Sequence, residues 1–240
     1  MTGLGTIVNS LAIIVGGIIG LFAGKYLTER FRSIINVAMA LSVISMSLSG
    51  IVAKMLVLNS DGVGTTGTYM IIFSLVLGAI TGELIDLDQK MERFGTWLKQ
   101  KTGNAKDAAF VDGFVTSSLT VCIGAMAVMG AIMDGINHDY SILFTKAILD
   151  LIIILIMTAS MGKGCIFSAI PVAIFQGSIT ILATFIAPLL NDQGLNNLSL
   201  TGSILILCIG INILMDGKFR IKVANLLPAI IFAVIAAYLI

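Results

Sequence analysis

Residues 140–160 read YSILFTKAILDLIIILIMTAS. The run matches the roughly 20 mostly apolar residues that an α-helix needs to cross a bilayer. Only Lys146 and Asp150 interrupt it with charge, and a spacing of four puts them on one helical face. Asp150 lies about ten residues, or roughly 15 Å of helix rise, from either end. Its short side chain cannot reach water at either interface. It must be protonated, paired or wetted, and Lys146 is the available partner. An ionisable group at that depth is a functional candidate by default. A neutral pair that only locks helices together is the structural alternative.

The rest of the chain has the same character. It has 240 residues, of which 58% are apolar and 11% charged, and its mean hydropathy is +1.06. Soluble domains are nearer 45–50% apolar and 25% charged. An ordinary soluble enzyme and a disordered chain are both excluded. A net charge of +1 gives no reason to expect nucleic acid as a partner. The fold expected is all-α, a polytopic transmembrane bundle in one domain over residues 1–240. Eight spans are expected, at roughly 4–24, 34–58, 68–85, 110–133, 140–160, 165–189, 199–216 and 222–240. Segment 86–107 is polar, with Leu87, Met91, Phe94, Trp97 and Leu98 at helical spacing. It reads as an amphipathic helix, on the membrane surface or over the protein's own cytoplasmic face.

The basic residues orient these spans. Lys25, Arg30 and Arg32 fall in the first loop, and Lys90, Arg93, Lys99, Lys101 and Lys106 in the third. Lys163 is in the fifth, and Lys218, Arg220 and Lys222 are in the seventh. The remaining two of the 14 basic residues, Lys54 and Lys146, lie inside spans. Cytoplasmic loops carry the excess of Lys and Arg, so the odd loops face the cytoplasm and both termini lie outside. Lys54 sits near an outer helix end, where its stem can snorkel. The first apolar run lacks a basic leader and a cleavage site, and reads as a retained helix.

Gly16, Gly20 and Gly24 form a small-residue stripe suited to close helix packing, expected inside the protein rather than between copies. A homo-oligomer stays open. Residues 118–135, SLTVCIGAMAVMGAIMDG, and 203–217, SILILCIGINILMDG, share Cys-Ile-Gly and Met-Asp-Gly. An inverted-topology repeat would leave opposed copies of this kind, and low-complexity apolar sequence produces the same similarity by chance.

Further polar groups fall at membrane depth: Asn9, Ser117, Ser118, Thr120, Gln176 and Asn212, with Glu83 at the cytoplasmic end of the third span. Each alone is ordinary helix-packing glue. Together with Asp150 and Lys146 they can line one polar cavity. Pro171 and Gly177 are expected to bend the sixth span near Gln176. Cys122, Cys165 and Cys208 form no disulfide framework. A single histidine, His138, builds no metal site, and the methionines of the fourth span read as apolar filling rather than a copper site. No nucleotide loop or nucleophile–base set occurs, so neither a cofactor nor an enzyme is expected.

An ordered set of motifs is similar to one bacterial family. They are GTIVNSLAIIVGGIIG (5–20), GAITGELID (78–86), FVDGFVTSSLTVCIGAMAVMGAI (110–132), KAILD (146–150), FSAIPVAIFQG (167–177), CIGINIL (208–214) and NLLPAI (225–230). They resemble the membrane proteins catalogued as domain of unknown function 554, over nearly the whole chain. The resemblance implies a multi-span protein of the bacterial inner membrane, of a family regarded as transporters without an established substrate. Its recurrent polar motifs fall on Asn9, Glu83, Ser117, Ser118, Lys146, Asp150, Gln176 and Asn212. The function expected is a secondary transporter or ion-coupled carrier of a small polar solute, surrounded by membrane lipid. The alternative is a non-transporting scaffold or regulatory subunit.

Overall fold

The computed structural model describes residues 2–59, 62–215 and 218–239. In chain order the helices are α1 (Leu4–Gly24), α2 (Glu29–Met55), α3 (Thr68–Ile85), α4 (Leu87–Lys101), α5 (Phe110–Cys122), α6 (Ala125–Asn137) and α7 (Ser141–Met161). A 3-10 segment, Lys163–Ser168, leads into α8 (Ala169–Ile181), and the short α9 (Ala183–Ile186) follows. Then come α10 (Asp192–Met215), α11 (Val223–Leu226) and α12 (Pro228–Ala236). The strands β1 (Leu56–Asn59) and β2 (Gly62–Thr65) form an antiparallel hairpin between α2 and α3.

The protein is an all-α membrane bundle. Among the described residues, six helical stretches are long and apolar enough to cross a bilayer, and the bent pair α5–α6 makes a seventh if counted as one span. Residues 223–236 supply a shorter apolar segment. Helices suit this solvent because each closes its own backbone hydrogen bonds. Their outward faces are what lipid requires: α1 exposes Ile7, Leu11, Val15, Ile18 and Phe22. A soluble protein rarely tolerates so continuous an apolar surface.

The chain packs as two compact units. The first is Met1–Met39 with Gln89–Pro188, and the second is Ala40–Asp88 with Leu189–Ile240. In the first unit α1 lies along α7, and the glycine stripe explains how closely. A Cβ at Gly16 or Gly20 would collide with the carbonyl oxygens of Leu151 and Leu155, and one at Gly24 would come within 2.8 Å of Ala159 O. The stripe is an internal contact. In the second unit α3 uses the same device, which the sequence reading missed: Gly78 and Gly82 lie against the backbones of Ala229 and Asn225.

Several expected boundaries shift. The fourth span is not one helix, because it breaks after Cys122 and turns by 61°. The second helix is displaced toward the N-terminus, running from Glu29 to Met55, since the hairpin takes residues 56–59 and 62–65. The last segment breaks at Leu227, ahead of Pro228, which opens α12 where a missing N–H costs nothing. Segment 86–107 is helical only over Leu87–Lys101. Helix α8 continues through Pro171, in its first turn, and Gly177. The interruption comes at Leu182 instead. The two Cys-Ile-Gly copies take different conformations, at the break after α5 and within the unbroken α10. Asp216 and Gly217 of the second copy lie outside the described residues.

Helix α4 covers part of the first unit. Phe94 stacks on Trp97 at 5.8 Å between ring centroids and meets the edge of Phe114 on α5 at 5.7 Å. Leu98 is buried, while Trp97 stays 51% exposed.

Candidate functional site: a broken helix closed by a buried ion pair

The break between α5 and α6 is set by Gly124, at φ 146°, ψ 151°. An L side chain rarely enters that region, whereas glycine does so freely. A Cβ there would meet nothing within 4 Å, so the requirement for glycine is conformational rather than steric. Breaking a helix strands the carbonyls of its last turn, which cannot stay unpaired in an apolar interior.

Lys146 answers that need. Its ammonium donates to the Val121 carbonyl at 2.8 Å and to Asp150 Oδ2 at 2.5 Å. Both side chains are almost fully buried, at 6% and 3% exposure for the whole residues. The cation thus sits at the negative end of the α5 dipole, which favours positive charge, and the carboxylate makes the cluster neutral. The i, i+4 spacing on α7 that reads as a pair in the sequence is a pair in the structure. Its third member is a backbone atom that no sequence motif announces.

A second polar layer borders the first. Asn9 on α1 lies beside the Asp150 carboxylate. Its Nδ2 donates to Gln176 Oε1 on α8 at 3.2 Å. Both amides are fully buried, yet Asn9 Oδ1 and Gln176 Nε2 have no partner. Such atoms are costly unless something binds them. Between α1 and α8 lies a groove of about 520 Å³, lined in part by Thr6, Ser10, Leu11, Ala173, Gly177 and Thr180. The hydroxyls of Thr6, Ser10 and Thr180 are also unpartnered. Ser10 and Gly177 are the chain neighbours of Asn9 and Gln176, so the groove approaches the amide layer. Asp150 does not line it.

The structure brings Asn9, Ser117, Ser118, Lys146, Asp150 and Gln176 into the first unit. Ser117 Oγ donates to Phe114 O at 3.2 Å and points to Cys165 O at 3.5 Å, whereas buried Ser118 Oγ has no partner. Glu83 and Asn212 belong to the second unit. Glu83 accepts from Lys222 Nζ at 2.9 Å and from Asn225 Nδ2 at 2.6 Å. Asn212 spends its amide on a backbone neighbour, bonding the N–H and C=O of Ile221 at 2.8 Å each. Lys54 donates to Asn196 Oδ1 at 2.8 Å in an exposed position, as its snorkelling stem suggests.

Sequence reasoning missed Asp134. It is fully buried on α6 and accepts from the backbone N–H groups of Gly3 and Gly5 at 3.0 Å each. It caps the N-terminus of α1, where a carboxylate is favoured by the dipole and the free donors. The available signal was Met-Asp-Gly at the end of an apolar run, read there only as part of a repeat. Among the described residues, no group of three or more His, Cys, Asp or Glu side chains gathers as a metal cluster.

The chain is 27% identical to the Uncharacterized membrane protein YdfK of Bacillus subtilis (strain 168) over 238 residues, covering 98% of this chain and 96% of the relative. It is 26% identical to the Uncharacterized protein YqgA of Escherichia coli (strain K12) over 234 residues, covering 96% and 94%. No solved structure matches it. The family model described as Protein of unknown function (DUF554) matches residues 4–238, and the chain belongs to that family of bacterial membrane proteins.

Proposed function

We propose that the protein is a secondary transporter, or ion-coupled carrier, of a small polar solute across the bacterial inner membrane. One observation carries the reading: a helix interrupted at the half-buried Gly124, in the middle of an apolar run, with its freed carbonyl end held by the buried Lys146–Asp150 pair. Non-helical backbone at membrane depth persists where it is buried in protein or lines a path. Discontinuous helices of this kind form ion and solute sites in many carriers. Asp150 takes up a proton or cation, or neutralises a solute amine, and Lys146 sets its charge state. Asn9, Gln176 and Ser118, each with an unpartnered polar atom, offer hydrogen bonds to the solute.

The proposed topology has eight spans, with α5–α6 as the broken fourth and residues 222–240 as the last. Both termini lie outside, and loops 24–33, 86–109, 161–164 and 217–221 are cytoplasmic. The sequence holds no nucleotide-binding motif, so a gradient or a separate partner supplies the energy. The second reading is a scaffold or regulatory subunit. It is favoured by the way Lys146, Asp150 and Val121 satisfy one another, and by a groove that does not reach Asp150.

The test is purified protein in proteoliposomes, screened with labelled amines, amides, amino acids and inorganic ions for uptake driven by a pH or ion gradient. Saturable uptake abolished by Asp150→Asn supports transport. Undiminished uptake by that variant removes Asp150 from the mechanism, and no uptake of any class favours the scaffold.

A further inference from the structure

Lys146 is held as an ion in a coordination site is held. Its Nζ faces a helix-end carbonyl at 2.8 Å and a carboxylate oxygen at 2.5 Å. Asn9, beside that carboxylate, carries a further buried oxygen that the ammonium does not bond and that is free for another cation. The two oxygens that hold the ammonium come from two helices, α5 and α7, and the ammonium is the cation between them. We propose that this is a binding site for one monovalent cation, occupied in the native chain by the Lys146 ammonium as a tethered ion.

Charge sets the valence. The site holds a single carboxylate, so one positive charge neutralises it, and a divalent ion would leave an uncompensated charge in an apolar interior. The end of α5 adds half a negative charge by its dipole, which favours a cation without fixing one. The stem of Lys146 arrives from α7, the helix that also carries Asp150. Alkali cations are excluded while Lys146 is present and can enter when it is gone. The binding claim stands on this geometry alone. Its consequence rests on the transport reading and narrows it: native transport proceeds equally well without Na⁺ and K⁺, so Asp150 takes up a proton or a solute amine rather than an alkali cation.

The experiment is thermal unfolding of the detergent-solubilised full chain in NaCl, KCl or choline chloride at one ionic strength. The wild type should unfold at the same temperature in all three. Lys146→Ala should gain roughly 5–10 °C in NaCl or KCl over choline, saturably, as expected for a ligand at about 100 times its dissociation constant. Lys146→Ala with Asp150→Asn should lose that response, because the carboxylate is gone. Four results would overturn the proposal: an equal alkali response in the wild type, a response surviving in the double variant, a folded Lys146→Ala indifferent to both ions, or a Lys146→Ala that cannot be recovered even in NaCl and KCl. A responsive variant in vesicles that move no solute would uphold the site and remove the transport reading. An unresponsive variant beside active native transport would do the reverse.

Discussion

Removing Lys146 alone leaves Asp150 a lone buried carboxylate and Val121 O an orphan acceptor, both at membrane depth. Breaking a buried pair by removing one partner costs about 3–5 kcal/mol, whereas replacing both partners is often close to neutral. In choline chloride, Lys146→Met should therefore unfold well below the wild type, and Lys146→Met with Asp150→Asn should recover most of that loss. Thermal unfolding of the single and double variants measures the coupling, and simple additivity would show that the charges act independently. Asp134 gives a second prediction at this scale. Its carboxylate satisfies two backbone donors at the start of α1, so Asp134→Ala should cost about 2–4 kcal/mol, and Asp134→Asn, which keeps one acceptor, clearly less. Equal loss in both would mean that charge rather than hydrogen bonding does the capping. The Lys146–Asp150 pair was legible in the sequence because i, i+4 spacing within one helix is local. Asp134 was not, because its partners are backbone N–H groups 129 and 131 positions away, and backbone donors carry no sequence mark.

At the scale of the element, two glycines with open space around them should behave in opposite ways. Neither Gly124 nor Gly177 would bring a Cβ within 4 Å of anything. Gly177 lies inside α8, so Gly177→Ala should be neutral or stabilise by up to about 1 kcal/mol. Gly124 sits at φ 146°, so Gly124→Ala should cost about 1–3 kcal/mol through backbone strain alone. Similar unfolding temperatures for the two variants would contradict the assignment of the break. This contrast also explains what the sequence concealed. The run from Phe110 to Met133 is continuously apolar, and glycine is common in straight membrane helices, so nothing local separates a breaking glycine from a packing one. The stripe of Gly16, Gly20 and Gly24 was readable because regular spacing declares a shared face. The amphipathic pattern of α4 was readable too, but its target was not: Phe94 packs on Phe114, a contact between helices. Phe94→Ser with Leu98→Ser should destabilise the protein more than Lys99→Ser with Lys101→Ser, as thermal unfolding would show, and equal small effects would make α4 a free linker.

For the whole molecule, apolar run lengths located the six helices long enough to cross a bilayer, though several ends lie elsewhere, and the alternation of basic loops supplied an expected orientation. The partition of the chain into two compact units did not follow, because no linker or change of composition marks it. It matters for the site: Asn212 and Glu83, grouped with Asp150 by position along their spans and by the family resemblance, belong to the other unit and have partners there. The orientation is testable in intact cells. With Cys122, Cys165 and Cys208 replaced, a cysteine at His138 or Asp192 should label with an impermeant thiol reagent, and one at Lys99 should not. Labelling at Lys99 would reverse the topology. The most direct test of the central claim is solute uptake by the double variant Asp150→Asn with Lys146→Met, assayed in proteoliposomes beside the wild type once its unfolding temperature shows that it is folded. The expected result is a folded protein without uptake. A folded double variant with wild-type uptake would contradict it.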